Sequence, residues 1–413
     1  MKRFYGIVTL AILCLSVISL FLITVNAQQA DSWPMFHGNS AHTGYLNAAG
    51  PSTNQTLWLF KTSGHVWSSP AVVNGVVYFG SFDHNVYAVN AKDGTKIWSF
   101  HTGGNIYSSP AVDGNIVYIG SNDRNIYALN AQNGALVWNY TTGGLAECPP
   151  TVSGGIVYAG SNDNNLYALN ATNGEQIWNI TTGGDVLSSP ALSNGIVYFG
   201  SYDHKVYALD ALSGAEKWNY TTGSVIESSP LVADGNVYIG SYDNQTYALN
   251  ADTGAFVWKV TTGYDLCVQA SPGFANGILY TGGSFDNNVY ALDPTTGATK
   301  WNYTTGGGIF TAPAIAGNVE YVTSLDNKTY ALNAQTGAFL WSYQTSGDIY
   351  SSPAVVNGVA YFGSYDGNVY AVGQNAGTNS SSSGIPYVIY YGIVIVVLIA
   401  VIAVVIVVLR KRH

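Results

Sequence analysis

Tryptophan recurs at positions 58, 98, 138, 178, 218, 258, 301 and 341, every 40 residues except between Trp258 and Trp301, where the interval is 43. Proline keeps step at 70, 110, 150, 190, 230, 272, 313 and 353. A period this long marks one supersecondary unit repeated along the chain, each copy burying its apolar face only against its neighbours. Within a unit, Ala71-Val72-Val73 is followed by Asn74-Gly75, a two-residue hairpin turn. Val76 to Gly80 is a nearly continuous apolar run, suited to a strand buried on both faces. Asp83–Asn85 and Lys92-Asp93-Gly94 then turn the chain into two further strands, the second ending beyond Trp98. A helical repeat is excluded, because the apolar spacing never follows 3.6 residues and turn residues interrupt every eight to ten positions. The composition agrees: Gly 47 and Tyr 31 stand beside Met 2 and only 9% charged residues, which suits short strands joined by tight turns.

The two ends of the array complement each other. The last unit, Pro353 to Val372, has three strands and no tryptophan, whereas Trp58 sits in a fourth-strand sequence with no strands before it. Joining them closes a ring without a free sheet edge. The fold expected over residues 58–372 is therefore an all-β, eight-bladed β-propeller closed by its N-terminal strand.

The turn before each tryptophan reads ALNAQNGALVW at 128–138, ALDALSGAEKW at 208–218 and ALNAQTGAFLW at 331–341. This pattern resembles the A-x-D/N-A-x-x-G-x-x-x-W motif of the quinoprotein-type, or PQQ-like, propeller family. The opening WPMFHGNSAHTGY at 33–45 is similar to the lead-in of such repeat proteins. No Trp-Asp dipeptide occurs, which weakens a WD40 assignment. The resemblance implies that Trp58, Trp98, Trp138, Trp178, Trp218, Trp258, Trp301 and Trp341 dock between blades and are structural.

Both ends carry membrane signals. Residues 1–27 have Lys2 and Arg3, an apolar stretch and small residues at Asn26-Ala27, the layout of a secretory signal peptide, with an uncleaved signal anchor as the alternative. A lead-in segment, 28–57, precedes the propeller, and a Ser-rich stalk, 373–386, follows it. Tyr387 to Leu409 is apolar throughout and long enough for a single C-terminal membrane span. The tail at 410–413 begins Arg410-Lys411-Arg412, which orients it to the cytoplasm and the propeller outward. A C-terminal anchor without a sortase-type motif suits an archaeal cell surface. Asn-X-Ser/Thr sequons at Asn54, Asn139, Asn170, Asn179, Asn219, Asn244, Asn302, Asn327 and Asn379 are expected on the exterior, as in a glycoprotein. Cys14 falls in the signal segment, leaving Cys148 and Cys267, which are expected to face one mouth with bridged or separate thiols both open. A net charge of −9 argues against nucleic acid as partner.

Features common to all blades belong to the fold. The Asp at 83, 123, 163, 203, 243, 286, 326 and 366 is expected to accept backbone N–H bonds in a turn, since each site offers too few oxygens for calcium. His37 and His42 without nearby acidic residues or cysteine suggest packing or turn roles, and no metal site is expected. Function should break the symmetry. By the resemblance, the residue three before each repeat proline lies at the central mouth, and these positions are Trp67, Tyr107, Glu147, Leu187, Glu227, Gln269, Phe310 and Tyr350. Phe310, Tyr350, Trp67 and Tyr107 form an aromatic half; Glu147, Glu227 and Gln269 make the other half polar. Such a ring suits a sugar, a cation or a peptide, or else plugs the pore. The inserted blade-six loop, YDLCVQASPGF at 264–274, is expected at the same mouth.

The function expected is a cell-surface, membrane-anchored binding or protein-interaction scaffold without a cofactor, resembling the assembly-factor branch of the family. Its partner would be a surface protein, a peptide or a glycan, the last making it an adhesin. The alternative is a PQQ-dependent dehydrogenase with Ca²⁺, in which Trp67 would stack on the quinone. The family's enzymes add adjacent cysteines, a calcium cluster of Glu and Asn, and an Asp base. This chain has no Cys-Cys pair and no long inter-blade insertions.

Overall fold

A computed structural model describes residues 32–264 and 268–374. The signal peptide, most of the stalk, the C-terminal span and tail, Cys14, Cys267 and Asn379 lie outside these residues. Among the described residues no helix is long and apolar enough to cross a membrane.

The described residues form eight antiparallel four-stranded sheets, and blade 7 gains a fifth, parallel strand from the lead-in. Blade 1 consists of Ala71–Val73, Val76–Gly80, Asn85–Asn90 and Lys96–His101. Its first hairpin turns through Asn74 and Gly75 at φ 52° and 76°, the paired positive angles that Asn-Gly supplies at little cost. Between the third and outermost strands the register shifts, with Trp98 opposite Ala88 but Lys96 opposite Val89. This bulge leaves Ile97 exposed and turns Trp98 inward, and it recurs in every blade.

Blade 8 closes the ring as the two chain ends suggested. Thr56–Lys61 pairs antiparallel with Asn368–Gly373, placing Trp58 opposite Ala371 and Lys61 opposite Asn368. The outermost strand of this blade thus precedes its other three by about 300 residues, as with Lys61 and Asn368.

Adjacent blades are held by one repeated latch. The Trp98 indole N–H donates to the Ala131 carbonyl of the next blade at 2.9 Å, and the Tyr78 hydroxyl reaches the same oxygen at 3.2 Å. Gly134 lies against the Trp98 ring so closely that a Cβ there would fall 2.7 Å from it. The motif's glycine, in its left-handed turn, is therefore the seat for the preceding blade's tryptophan. Equivalent indole bonds run from Trp58, Trp138, Trp178, Trp218, Trp258 and Trp301. At blade 7 the pattern meets the chain break of blade 8. There Tyr321 donates instead to Pro51 of the lead-in at 2.9 Å.

The lead-in is a plug. Its carbonyls at Trp33, Pro34, Ser40, Ala41, Thr43 and Gly44 accept the N–H groups of Val72, Val112, Leu192, Val232, Phe274 and Ile315, one in each of six innermost strands. It then adds Tyr45–Leu46 parallel to Ala314–Ala316. The segment caps the channel-facing edges that a propeller leaves unpaired at its centre.

The three residues inserted in blade 6 are shared between two places. Two lengthen the loop before the innermost strand: 12 positions separate Thr261 from Gly273, against 10 from Thr221 to Leu231. The third lies between the second and third strands, where Gly282 to Asn288 spans 6 positions against 5 from Gly200 to Lys205. The insertion is thus not confined to 264–274, because the turn before Asp286 also carries an extra residue.

Candidate functional site: the propeller mouth

The positions three before the repeat prolines converge. Trp67, Tyr107, Glu147, Leu187, Glu227, Gln269, Phe310 and Tyr350 line one cavity of about 150 Å³, with Ser69, Ser109, Ser229, Ser271 and Ser352 deeper in the wall. Phe36 of the lead-in also lines it, so the plug supplies its floor and the mouth is a cup. Paired serines shape that wall. The Ser69 N–H donates to Ser109 Oγ at 2.9 Å and the Ser352 N–H to Ser69 Oγ at 2.9 Å, linking blade to blade.

The aromatic half is a continuous cluster of rings, stacked at Trp67–Tyr350 and tilted elsewhere. Trp67 lies 4.2 Å from Tyr350, centroid to centroid, and 5.3 Å from Tyr107. Phe310 continues it 6.1 Å from Tyr350. A second ring, which the sequence reading missed, backs the first: Phe82, Asn122, Asn162, Tyr202, Tyr242, Phe285 and Tyr365, each just before a repeat Asp. Phe82 packs 4.3 Å from Tyr107, Tyr365 5.3 Å from Tyr350 and Phe285 5.2 Å from Phe310. With Leu325 as its blade-seven member, this ring does not repeat the first ring's division, since Tyr202 and Tyr242 stand on the polar half; the same 40-residue comparison would have found it.

On the polar half the second ring holds the carboxylates. Glu147 accepts from the Asn122 amide at 2.9 Å and the Asn162 amide at 3.3 Å. Glu227 accepts from the Tyr202 hydroxyl at 2.8 Å, and from the Tyr242 hydroxyl and the Gln269 amide. Burial, and then the Glu227 charge, push the Tyr202 hydroxyl well above the usual phenol range. Burial raises Tyr107 as well, with Glu147 as the next cause. Among the described residues, the donors to these carboxylates are neutral and the cup's lining includes no Lys or Arg. The Oδ1 atoms of Asn122 and Asn162 are buried and receive no hydrogen bond. The charge in the cup's lining is therefore negative, from Glu147 and Glu227.

The other singled-out residues fall away from the mouth's chemistry. Asp123 accepts the Gly103 N–H at 2.7 Å, the Tyr127 hydroxyl at 2.7 Å and the Asn125 N–H at 3.0 Å, tying two blades together. The Asp at 83, 163, 203, 243, 326 and 366 likewise accepts a backbone N–H from the preceding blade. Burial pushes Asp123 up, but these hydrogen bonds outweigh it and hold the carboxyl below its ordinary range. His37 and His42 both sit at φ 58° in the plug, bonded to the carbonyls of Pro313 and Pro230 at 2.8 and 3.1 Å. Cys148 lies behind the mouth ring, buried, its thiol directed to the Ser188 carbonyl at 3.2 Å. Burial pushes that thiol up to about 12. Of the sequons, Asn54, Asn139, Asn179, Asn219 and Asn302 are exposed, while Asn170, Asn244 and Asn327 are half-buried. The expected exterior placement therefore holds for five of the eight within the described residues.

The profile of the repeat family described as outer membrane protein assembly factor BamB matches residues 40–144, 86–189, 141–265, 180–308 and 247–379. No curated protein matches the chain. Among solved structures, BamB from Moraxella catarrhalis superposes with a TM-score of 0.68 at 22% identity, covering 78% of this chain and 100% of its own. A europium-containing methanol dehydrogenase superposes at 0.71 and 13% identity, covering 82% of this chain and 91% of its own. The quinohemoprotein alcohol dehydrogenase from Comamonas testosteroni gives 0.71 at 17%, covering 86% of this chain and 82% of its own. At these identities the structures share the fold, whichever chemistry each performs. The family matches tile nearly all of the propeller, and the chain belongs to the BamB-like PQQ-repeat family.

Proposed function

We propose that this chain is a non-catalytic propeller scaffold, tethered at a membrane by residues 387–409, that binds its partner in the cup at the propeller mouth. The observation carrying this reading is the cup itself. Its rim is drawn from the positions at which otherwise equivalent blades differ, above a wall of repeat serines, and a dedicated segment closes its floor. Where eight blades agree, packing explains the residue; where they diverge around one cavity, recognition does.

The alternative, a PQQ-dependent dehydrogenase, is favoured by the fold neighbours and by the aromatic wall. The residues present do not fit the cofactor. PQQ is a flat tricarboxylate, and the cup offers Glu147 and Glu227 with no Lys or Arg in its lining. Its volume of about 150 Å³ falls short of the ~300–1,000 Å³ usual for sites of that ligand size. Among the described residues no three His, Cys, Asp or Glu side chains gather to hold a metal.

Thermal unfolding of the full chain with PQQ plus Ca²⁺ should show no shift. Stabilisation by several degrees with a matching absorbance change would overturn the proposal. Crosslinking at the membrane surface should recover a partner that Trp67→Ala and Tyr107→Ala lose while keeping the wild-type unfolding transition.

A further inference from the structure

We infer that the mouth recognises an organic cation, the guanidinium or ammonium of a basic side chain presented by a partner polypeptide. This rests on the cup being the binding site and adds what it selects. Three independent features point to the same chemistry. The first is charge. Glu147 and Glu227 face a cavity with no basic residue in its lining, each held in place by neutral donors. Both carboxylates are half-buried, and a bound cation would supply the counter-charge that their partly desolvated setting lacks. Asp185 and Asp348 carry negative charge in the same loops, two residues before Leu187 and Tyr350. Burial raises the Asp185 carboxyl, with the neighbouring Asp163 as the second cause.

The second feature is the opposite wall. Trp67, Tyr107, Tyr350 and Phe310 offer π-faces and edges within one cluster, and aromatic faces attract cations, Trp most strongly. A group resting on Trp67 and reaching toward the carboxylates meets both attractions at once. The third is size and hydrogen-bond inventory. A cavity of about 150 Å³ accommodates a benzene-sized group, hence one side-chain head rather than a folded ligand. The Glu147 and Glu227 carboxylates are acceptors, whereas a guanidinium brings five donors and no acceptor. An anionic or purely apolar ligand would leave the two carboxylates without a counter-charge. The remaining surface of the partner would lie across the rim, where His65 stacks on Tyr365 at 4.1 Å.

The test is fluorescence anisotropy with the full chain and three labelled hexapeptides: alternating Arg-Ser, alternating Glu-Ser, and all Gly-Ser. Unlabelled tetramethylammonium serves as a small-cation competitor. The Arg-Ser peptide should bind best and lose affinity with rising salt. Glu147→Gln and Glu227→Gln, which keep the side-chain shape, should each weaken it by about tenfold, as expected for a charge-assisted bond. Trp67→Leu and Tyr350→Leu should weaken it comparably, with thermal unfolding checking that each variant is folded. Displacement by tetramethylammonium supports the cation reading. Equal or tighter binding of the Glu-Ser or Gly-Ser peptide, lost in Trp67→Leu but not in Glu227→Gln, overturns the cation inference and leaves the mouth as the site. Arg-Ser binding untouched by all four substitutions overturns both.

Discussion

Gly195 and Gly214 sit in the same blade, both at positive φ, 75° and 72°, and differ in what surrounds them. At Gly195 a Cβ would meet nothing within 4 Å; at Gly214 it would fall 2.7 Å from Cδ2 and 2.9 Å from Cε3 of the Trp178 ring. Alanine at either site incurs the left-handed backbone penalty, about 1–2 kcal/mol. Only Gly214→Ala must also push the indole away, and overpacking of this kind costs roughly 1–3 kcal/mol more. The indole has little room to yield. It is buried, and its N–H is already committed to the Ala211 carbonyl at 3.1 Å. Gly195→Ala should therefore cost about 1–2 kcal/mol and Gly214→Ala about 2–5 kcal/mol. Urea unfolding of both full-length variants, followed by tryptophan fluorescence, measures the difference if the m-values agree. Equal losses would show that the glycine is kept for its turn alone and that the seat for the tryptophan adds nothing.

Other consequences are equally direct. Trp58→Ala should cost about 3–5 kcal/mol, because it empties the seat on blade 1 that holds the N-terminal strand of blade 8 in the closed ring, whereas Leu59→Asp, 55% exposed on the same strand, should change stability by no more than about 0.5 kcal/mol; comparable losses in thermal unfolding would refute the closure's dependence on Trp58. Burial lowers His37 to about 4 and His42 to about 3, so both stay neutral in the fold while the unfolded chain takes up protons below pH ~6.5. Stability should be complete above that pH and fall from it toward about pH 4; urea midpoints across this range should decline less in His37→Asn. Asp83, Asp123 and Asp163 are each pushed up by burial and, more strongly in sum, down by hydrogen bonds. Their contribution is present above pH ~4 and lost below it, so the triple Asp→Asn variant should be less stable at neutral pH yet less sensitive to further acid. The Cys148 thiol should resist a thiol reagent at pH 8 until urea unfolds the chain, tested with Cys14→Ser and Cys267→Ser in place; fast labelling of the native protein would contradict its burial.

Blade number, strand order, the N-terminal closure and the structural role of the tryptophans were legible from the chain. Each of these is written in local chemistry: Asn-Gly turns, runs of alternating or continuous apolar residues, and a period that adds up only in a closed ring. The first ring of the mouth was legible too, since equivalent positions in equivalent blades must meet at one radius. The second ring follows the same rule, since Asn122, Asn162, Tyr202 and Tyr242 each precede the repeat Asp at one equivalent position. What only the tertiary structure decided are contacts between segments with no common period. The lead-in has no repeat, so nothing along the chain indicates that His37 reaches Pro313, 276 residues away, or that Pro51 replaces the carbonyl a broken blade cannot supply. Nor does local sequence tell which neutral donors hold Glu147 and Glu227, since those bonds join side chains from different turns and blades. Periodicity specifies what every blade does alike; the plug and the charge of the cup arise where the blades are closed against one another.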